Sequence, residues 1–193
     1  MARKVKLSKT ERSDKIMEAA IYEFATRGYA NAKLSNIAAR AGVSYGLVST
    51  RFGSKEELLC ASLFVITDIF DKAENMKGDI FDRLACVIDQ IREYAKNRNI
   101  EFHYCLNVLM GKDIPDCVDR ILWDYFTTDT ALSLLGDAME KGIISKDDPY
   151  SFIRNVMVLA LQVFDNDIRF GHDFRTNEDI FEIIIINRIF FSL

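Results

Sequence analysis

Apolar residues recur at helical spacing along most of the chain, and glycine, proline and capping residues interrupt the pattern at intervals. Ser8 and Glu11 have capping-box spacing at the start of a first predicted helix, and Thr10 or Ser13 could cap it as well. Gly28 is placed to end this helix, because glycine tolerates the left-handed conformation that follows many helices. The buried face of this helix is predicted to contain Ile16, Ala19, Ala20 and Phe24.

Two short helices are predicted next, over 34–41 and Tyr45–Phe52. Gly42 supplies a positive φ between them, and Ser44 is a good N-cap for the second helix. Ala38 is small where the two helices must cross. This layout is typical of a helix-turn-helix, but it also fits an ordinary helical hairpin, which likewise needs a small residue and a turn glycine.

The remaining residues predict a larger helical body, which makes about nine helices in an all-α chain. Capping residues, glycines and prolines set the expected boundaries of these helices. The predicted helices run from Ser54 to about Met76, from Asp79 to near Arg98, over Ile100–Met110, from Pro115 to Lys141, from Pro149 to about Phe170, and from Asn177 or Glu178 to Phe191.

Composition excludes several classes of protein. The 193 residues are 49% hydrophobic and 28% charged, and only two are proline. The longest uncharged apolar stretches, Leu58–Thr67 and Val156–Phe164, are too short for a bilayer span, and no apolar run follows the basic N-terminus. We therefore expect a cytoplasmic protein without a membrane segment.

The cysteines and histidines do not predict a metal or cofactor site. The four cysteines, at 60, 86, 105 and 117, include no Cys-x-x-Cys pair and no clustered histidine. We interpret them as small buried residues of a protein in a reducing compartment. We expect no disulfide framework, no metal and no cofactor.

Charge is distributed unevenly between the two ends. Residues 1–55 contain eleven Lys or Arg against four Asp or Glu, whereas the remainder contains 14 basic and 25 acidic residues. A cationic module joined to an acidic body is typical of a protein whose basic end is attracted to phosphates while its acidic end is repelled. A solvated basic face without a partner is the alternative that charge alone leaves open.

Catalysis is not favoured by any motif. The chain lacks a Walker loop, a dinucleotide glycine fingerprint, a His-Glu-x-x-His zinc motif and a nucleophile elbow. His103 and Cys105 lie two positions apart on a predicted helix, so they point to different faces. We expect that the protein is not an enzyme.

The N-terminal motifs together carry a family resemblance. Lys15–Leu59, which reads KIMEAAIYEFATRGYANAKLSNIAARAGVSYGLVSTRFGSKEELL, resembles the DNA-binding domain of TetR-family transcriptional regulators. The resemblance covers roughly the first third of the chain. It rests on A-A-x-x-x-F, G-Y, I-A-x-x-A-G-V-S and F-x-S-K-E-x-L in this order.

The resemblance implies that Tyr45–Phe52 is the recognition helix. Base-reading positions then fall at Tyr45, Gly46 and Leu47, backbone-contacting positions include Thr50 and Arg51, and Lys55 matches a phosphate-contacting lysine. Ser49 stands where many relatives have tyrosine, Lys33 where a capping Ser or Thr is common, and Leu47 where Thr or Ser is frequent. The resemblance therefore does not predict the operator sequence. The expected DNA-binding residues are Lys33, Ser35, Ser44, Tyr45, Gly46, Leu47, Ser49, Thr50, Arg51 and Lys55, with Arg3, Lys4, Lys6 and Lys9 in a basic arm.

The last two predicted helices are apolar around most of their circumference, so each must be covered on several sides. A second copy of the chain is the simplest cover, and the resemblance likewise implies dimerisation through these helices. A monomer that buries the last helix in its own core is the alternative. The expected interface residues are Phe152, Val156, Val163, Ile180, Ile184, Asn187 and Phe191.

The resemblance also implies a small-molecule pocket among the middle helices, which are rich in aromatic residues. An aromatic stripe at helical spacing also fits plain core, and that interpretation is favoured for any single residue. The candidate effector-binding residues are Tyr94, Phe102, His103, Trp123 and Phe126.

These observations predict a homodimeric, ligand-responsive regulator of transcription. Residues 1–55 would bind double-stranded operator DNA, and residues 56–193 would dimerise and bind an unidentified effector that is largely apolar or aromatic. Repression follows from the resemblance alone. The alternative is a helical module that binds a small molecule or a partner and whose helix-turn-helix no longer reads DNA.

Overall fold

The computed structural model describes residues 9–68, 77–97, 99–111, 113–126, 135–136, 138–140 and 149–186. Within these ranges it contains no strand and nine helices of seven residues or more, which confirms the all-α prediction. The helices are α1 (Lys9–Asn31), α2 (Leu34–Ala41), α3 (Tyr45–Phe52), α4 (Lys55–Ala61), α5 (Ile80–Lys96), α6 (Ile100–Leu109), α7 (Asp116–Phe126), α8 (Pro149–Phe170) and α9 (Asn177–Ile186).

Helices α2 and α3 have the boundaries that the sequence pattern predicts, whereas α1 continues beyond its predicted end at Gly28 to Asn31. At Gly28 a φ of 69° and a ψ of 166° interrupt α1, and a final turn leads on to Asn31. Helices α2 and α3 are separated by Gly42, whose φ of 67° lies in the left-handed region. Local sequence signals therefore predict the helix-turn-helix layout.

Helix α4 is shorter than predicted. Its capping box is present, because the Ser54 hydroxyl accepts a hydrogen bond from the Glu57 N–H and the Glu57 carboxylate accepts one from the Ser54 N–H. The predicted continuous helix to Met76 is wrong, since the chain turns at residues 62–63 and resumes a helical course over 64–68. Residues 69–76 lie outside the described ranges.

The turn after α4 is held by a buried serine. The Ser62 hydroxyl donates to the Leu59 carbonyl at 2.7 Å and lies 2.6 Å from the Tyr104 hydroxyl on α6. A serine that bonds to nearby backbone competes with helix continuation, which explains the break. Burial is also the main cause of the raised pKa of Tyr104.

The later helices begin where their caps predict. Helix α5 starts after Asp79, whose carboxylate accepts from the N–H groups of Phe81 and Asp82. Helix α7 starts directly after Pro115, and Pro149 is the first residue of α8. The predicted ends of the Pro115 helix at Lys141 and of the last helix at Phe191 lie outside the described residues.

One continuous core joins the helix-turn-helix to the rest of the protein. Helix α1 packs most extensively on α6, and the Asn107 amide of α6 donates to the Ala25 carbonyl of α1 at 2.7 Å. Helix α8 in turn packs against α5 and α6. The division of the chain near residue 55 therefore does not coincide with a gap in the core, and it stays a prediction.

None of the helices in the described ranges has the length and apolar character needed to span a bilayer.

Candidate nucleic-acid interface

Helix α3 is positioned by its cap and by one buried side chain. The Ser44 hydroxyl accepts a hydrogen bond from the Leu47 N–H at 3.3 Å, so it satisfies a free N–H at the start of the helix. Val48 is completely buried and anchors the opposite side of the helix in the core. The Ser44 hydroxyl therefore stabilises the start of α3, whether or not Ser44 also contacts DNA.

The outer face of α3 is open to solvent. Tyr45 is 57% exposed, and Gly46, Ser49 and Thr50 are also exposed. A Cβ added at Gly46 would meet no atom within 4 Å. Since helical neighbours three and four positions apart share a face, these residues form one outward surface of a kind that can enter a DNA groove.

Two of the predicted contact residues turn partly away from this surface. Leu47 is half-buried and packs against the core. Arg51, also half-buried, lines an open groove of about 780 Å³ together with Thr50 and residues of α1 and α6. Base contact by Leu47, expected from the resemblance, is therefore limited to the part of its side chain outside the core.

Lys55 is engaged within the protein. Its ammonium donates to the Tyr29 carbonyl at 2.7 Å and lies 3.4 Å from the Ala30 carbonyl, at the C-terminal end of α1. It also lies 4.3 Å from the centre of the Tyr29 ring. The ammonium therefore links α4 to α1. A phosphate contact by Lys55 would have to use an ammonium N–H that does not donate to these carbonyls.

A buried carboxylate, which sequence reasoning missed, holds α1 and α2 together. Glu23 is 5% exposed, and its Oε1 accepts from the Asn36 amide at 2.7 Å and from the Lys33 N–H at 3.4 Å. Arg27 lies on the same oxygen at 3.3 Å. No local signal distinguishes Glu23 from a solvated helix glutamate, because its partners lie up to 13 residues away.

We expect Glu23→Ala to lower the free energy of unfolding by about 1–3 kcal/mol, because it leaves the Asn36 amide and Lys33 N–H without this acceptor. Chemical denaturation of the purified protein measures the change. Glu18→Ala, at an exposed position of the same helix, is the matched control and should change stability by less than about 0.5 kcal/mol. Equal stability of the Glu23→Ala variant and the wild type would contradict the expectation.

The remaining predicted DNA-contact residues lie at the start of α2. Lys33 and Ser35 are both exposed, and Lys33 is the N-cap residue without a side-chain cap bond. Arg3, Lys4 and Lys6 lie outside the described residues, as does the side chain of Lys9.

The candidate effector residues do not share one environment. Phe102 is fully buried and Tyr94 is half-buried, whereas His103 is exposed and Trp123 is 46% exposed. The side chain of Phe126 lies outside the described part of the structure. His103 and Trp123 are thus exposed where the structure describes them, and contact of either residue with an effector stays a prediction.

His103 and Cys105 are also separated by the fold. Cys105 is 1% exposed, and its burial raises the pKa of the thiol to about 12, whereas His103 lies at the surface. They therefore do not form a nucleophile and its base, in agreement with their helical spacing.

Four predicted interface residues lie in the core of the protomer instead. Phe152, Val156, Val163 and Ile180 are at most 7% exposed. Side chains buried in this way have almost no surface left for a partner, and their placement in a dimer interface stays a prediction. Within the protomer, α5 and α6 cover much of α8. The Ile184 side chain, Asn187 and Phe191 lie outside the described residues.

Residues 16–61 match the family model described as bacterial regulatory proteins, tetR family. No curated protein matches the sequence.

Several solved structures share the fold. A protein from Shewanella sp. PV-4 assigned to the tetR family of transcription regulators has a TM-score of 0.68 and 18% identity over 83% of this chain and 87% of its own. A protein from Clostridium perfringens assigned as a fatty acid metabolism regulator has a TM-score of 0.60 and 25% identity, covering 89% and 95%. A gamma-butyrolactone receptor has a TM-score of 0.53 and 22% identity, covering 81% and 75%.

Proposed function

We propose that this chain is a tetR-family transcription regulator that binds a palindromic operator as a homodimer and releases it when a small molecule binds. Its residues 16–61 match the family model of bacterial regulatory proteins, tetR family, and it shares its fold with a protein assigned to that family. In this proposal residues 1–55 bind DNA, residues 56–193 dimerise and bind the effector, and the protein acts in the cytoplasm as a repressor.

The outward surface of α3 is the observation that carries the proposal. Tyr45, Gly46 and Ser49 are exposed at the N-terminal half of a capped helix, while Val48 fixes the same helix in the core. Recognition helices read base edges with this half in the major groove. The cationic balance of residues 1–55 adds attraction to the phosphates.

The proposed dimer uses the outward face of α8 instead of its core residues. Residues along this face recur at three- or four-residue intervals and are exposed or half-buried: Asn155, Val158, Leu159, Gln162 and Asn166. A two-fold axis would place two recognition helices about 34 Å apart, in successive major grooves of a palindromic site.

Release by a small molecule is supported by what two structural relatives are described as doing. One is a receptor for a gamma-butyrolactone, and another is assigned to the regulation of fatty acid metabolism. We propose that an effector of largely apolar character binds the larger helical part and prefers a conformer with the wrong spacing between recognition helices. By linkage, bound DNA then weakens effector binding by the same factor.

The experiment that tests the proposal is a salt-dependent binding titration of the purified protein against DNA from its own promoter region, with random DNA as the control. Tight promoter binding with a clear preference over random DNA is expected, and its affinity should fall steeply with salt. Absence of binding to both DNAs at low salt would overturn the proposal and favour a helical ligand-binding module.

Lys33→Ala tests the phosphate contacts. Each phosphate contact contributes about 0.9 to the slope of log K against log salt, so loss of one contact per half-site should reduce the slope of a dimer by about 2. Lys96→Ala removes an exposed lysine at the end of α5 and is the matched control. Lys33 would have no phosphate contact if both variants kept the wild-type slope.

Lys55→Ala is a poorer test of the same contacts, because it also removes the donor on the Tyr29 carbonyl. Loss of DNA binding in that variant would therefore mix a structural effect with an electrostatic one.

A further inference from the structure

Two cysteines that lie far apart in the sequence meet in the fold. Cys60 is on the last turn of α4, Cys117 is on the first turn of α7, and their sulfur atoms are 2.6 Å apart. Both are free thiols, and both are partly exposed to solvent. Two thiols in contact need only a small movement to reach the 2.05 Å of a disulfide bond.

We propose that Cys60 and Cys117 form a redox-sensitive site, which hydroperoxides convert reversibly to an intramolecular disulfide between α4 and α7. Cysteine modification needs a reachable thiol, and a small oxidant can reach this pair from solvent. Cys105 offers a contrast within the same protein, because it is 1% exposed and burial raises its pKa to about 12.

The surroundings of the pair give the two sulfurs different roles. Burial, the Cys60 thiol and the Glu56 carboxylate raise the pKa of Cys117 to about 12, which keeps Cys117 protonated. In this proposal Cys60 reacts first with the oxidant, and Cys117, beside the Glu56 carboxylate, reacts in the second step. Glu56, four positions before Cys60 on α4, accepts the Cys117 proton during the second step.

The reaction balances with one hydroperoxide. The Cys60 sulfur attacks the peroxide, the O–O bond breaks, and an alcohol (or water, from hydrogen peroxide) leaves as Cys60 becomes a sulfenic acid. The Cys117 sulfur then attacks the Cys60 sulfur, the S–O bond breaks, and water leaves with the proton that passed through Glu56. The two thiols together lose two electrons, and the peroxide gains them.

The disulfide would act on the helix that follows the recognition helix. Helix α4 is tied to the end of α1 by the Lys55 ammonium on the Tyr29 carbonyl, so α4 connects the thiol pair to the helix-turn-helix. A covalent bond to α7 would hold these elements in one arrangement. This regulatory consequence rests on the proposed function, whereas formation of the disulfide does not.

The site is tested on the full-length protein with hydrogen peroxide as the probe. Thiol counting should fall from four free cysteines to two, the mass should fall by two hydrogens, and a digest without reductant should contain one peptide pair that links residues 60 and 117. Dithiothreitol should restore all four thiols. Cys60→Ser and Cys117→Ser should each abolish the linked pair, and Cys86→Ser, the matched control, should retain it.

The outcomes distinguish formation of the Cys60–Cys117 disulfide from its effect on operator binding. Absence of the linked peptides in oxidised wild-type protein would overturn the proposal, even if either serine variant failed to fold. Oxidation is expected to change operator affinity at least tenfold in the wild type and not in Cys60→Ser. A disulfide that formed while operator affinity stayed constant would overturn the regulatory consequence, and loss of DNA binding by the reduced wild type would instead contradict the proposed function.

Discussion

Replacement of Gly46 by aspartate is expected to abolish specific operator binding while the protein stays folded. Gly46 lies on the exposed side of α3, and a Cβ there would meet no atom within 4 Å, so the larger side chain fits the free protein. A carboxylate in the first turn of a helix is favourable for the helix dipole, and glycine is a poor helix former. The unfolding free energy should therefore remain the same or rise.

The same carboxylate is unfavourable in the DNA complex, because it is placed against bases and phosphates in both half-sites. A mismatched contact costs about 1–3 kcal/mol in each half-site, so a dimer should lose about thirtyfold to twenty-thousandfold in affinity. The titration against promoter DNA measures this loss. Gly46→Ala adds only a methyl group and is the matched control, with a much smaller expected change.

Wild-type affinity in a folded Gly46→Asp protein would show that this face of α3 does not contact DNA. Thermal or chemical unfolding of the same preparation distinguishes that result from a folding defect. A loss in both Gly46→Asp and Gly46→Ala would indicate that the backbone at Gly46 approaches DNA too closely for any side chain.

Phe24→Ala is expected to produce the largest loss of stability of any single change considered for this chain. Phe24 is completely buried on α1, and its ring centre lies 6.3 Å from that of Tyr29. Removal of a buried phenylalanine costs about 3–5 kcal/mol, because transfer free energy is lost and a cavity remains. Since α1 packs on both α2 and α6, we expect the loss to affect the whole protein.

Urea unfolding at a fixed protein concentration measures this change, since the stability of a dimer depends on concentration. Phe24→Leu keeps most of the volume and should cost less than about 1.5 kcal/mol. Phe170→Ala removes the same residue type from a position that is 71% exposed and should have little effect. Similar stabilities for Phe24→Ala and Phe170→Ala would contradict the buried role of Phe24.

The local architecture of the DNA-binding end could be predicted from the sequence. The boundaries of α2 and α3, the left-handed Gly42 and the Ser44 cap all follow from residues within a few positions of one another. Periodicity and capping act over one or two turns, so their signals remain visible in a linear pattern. The exposure of Tyr45 and the burial of Val48 follow from the same periodicity.

The element that covers a given apolar side chain could not be predicted from the sequence. The apolar circumference of α8 predicts that the helix is covered on several sides, and at Phe152 and Val156 the cover comes from the protomer itself. An apolar residue in a sequence predicts that its side chain is buried, but it does not predict which element buries it.

The sequence by itself determined that this chain is all-α, with a capped helix-turn-helix in a cationic N-terminal segment. Only the tertiary structure decided that Glu23 binds Asn36, that Lys55 binds the end of α1, and that Cys60 touches Cys117 across 57 positions. The physical reason is one of range. Helix formation is governed by neighbours along the chain, whereas these contacts depend on packing between helices that the local pattern does not encode.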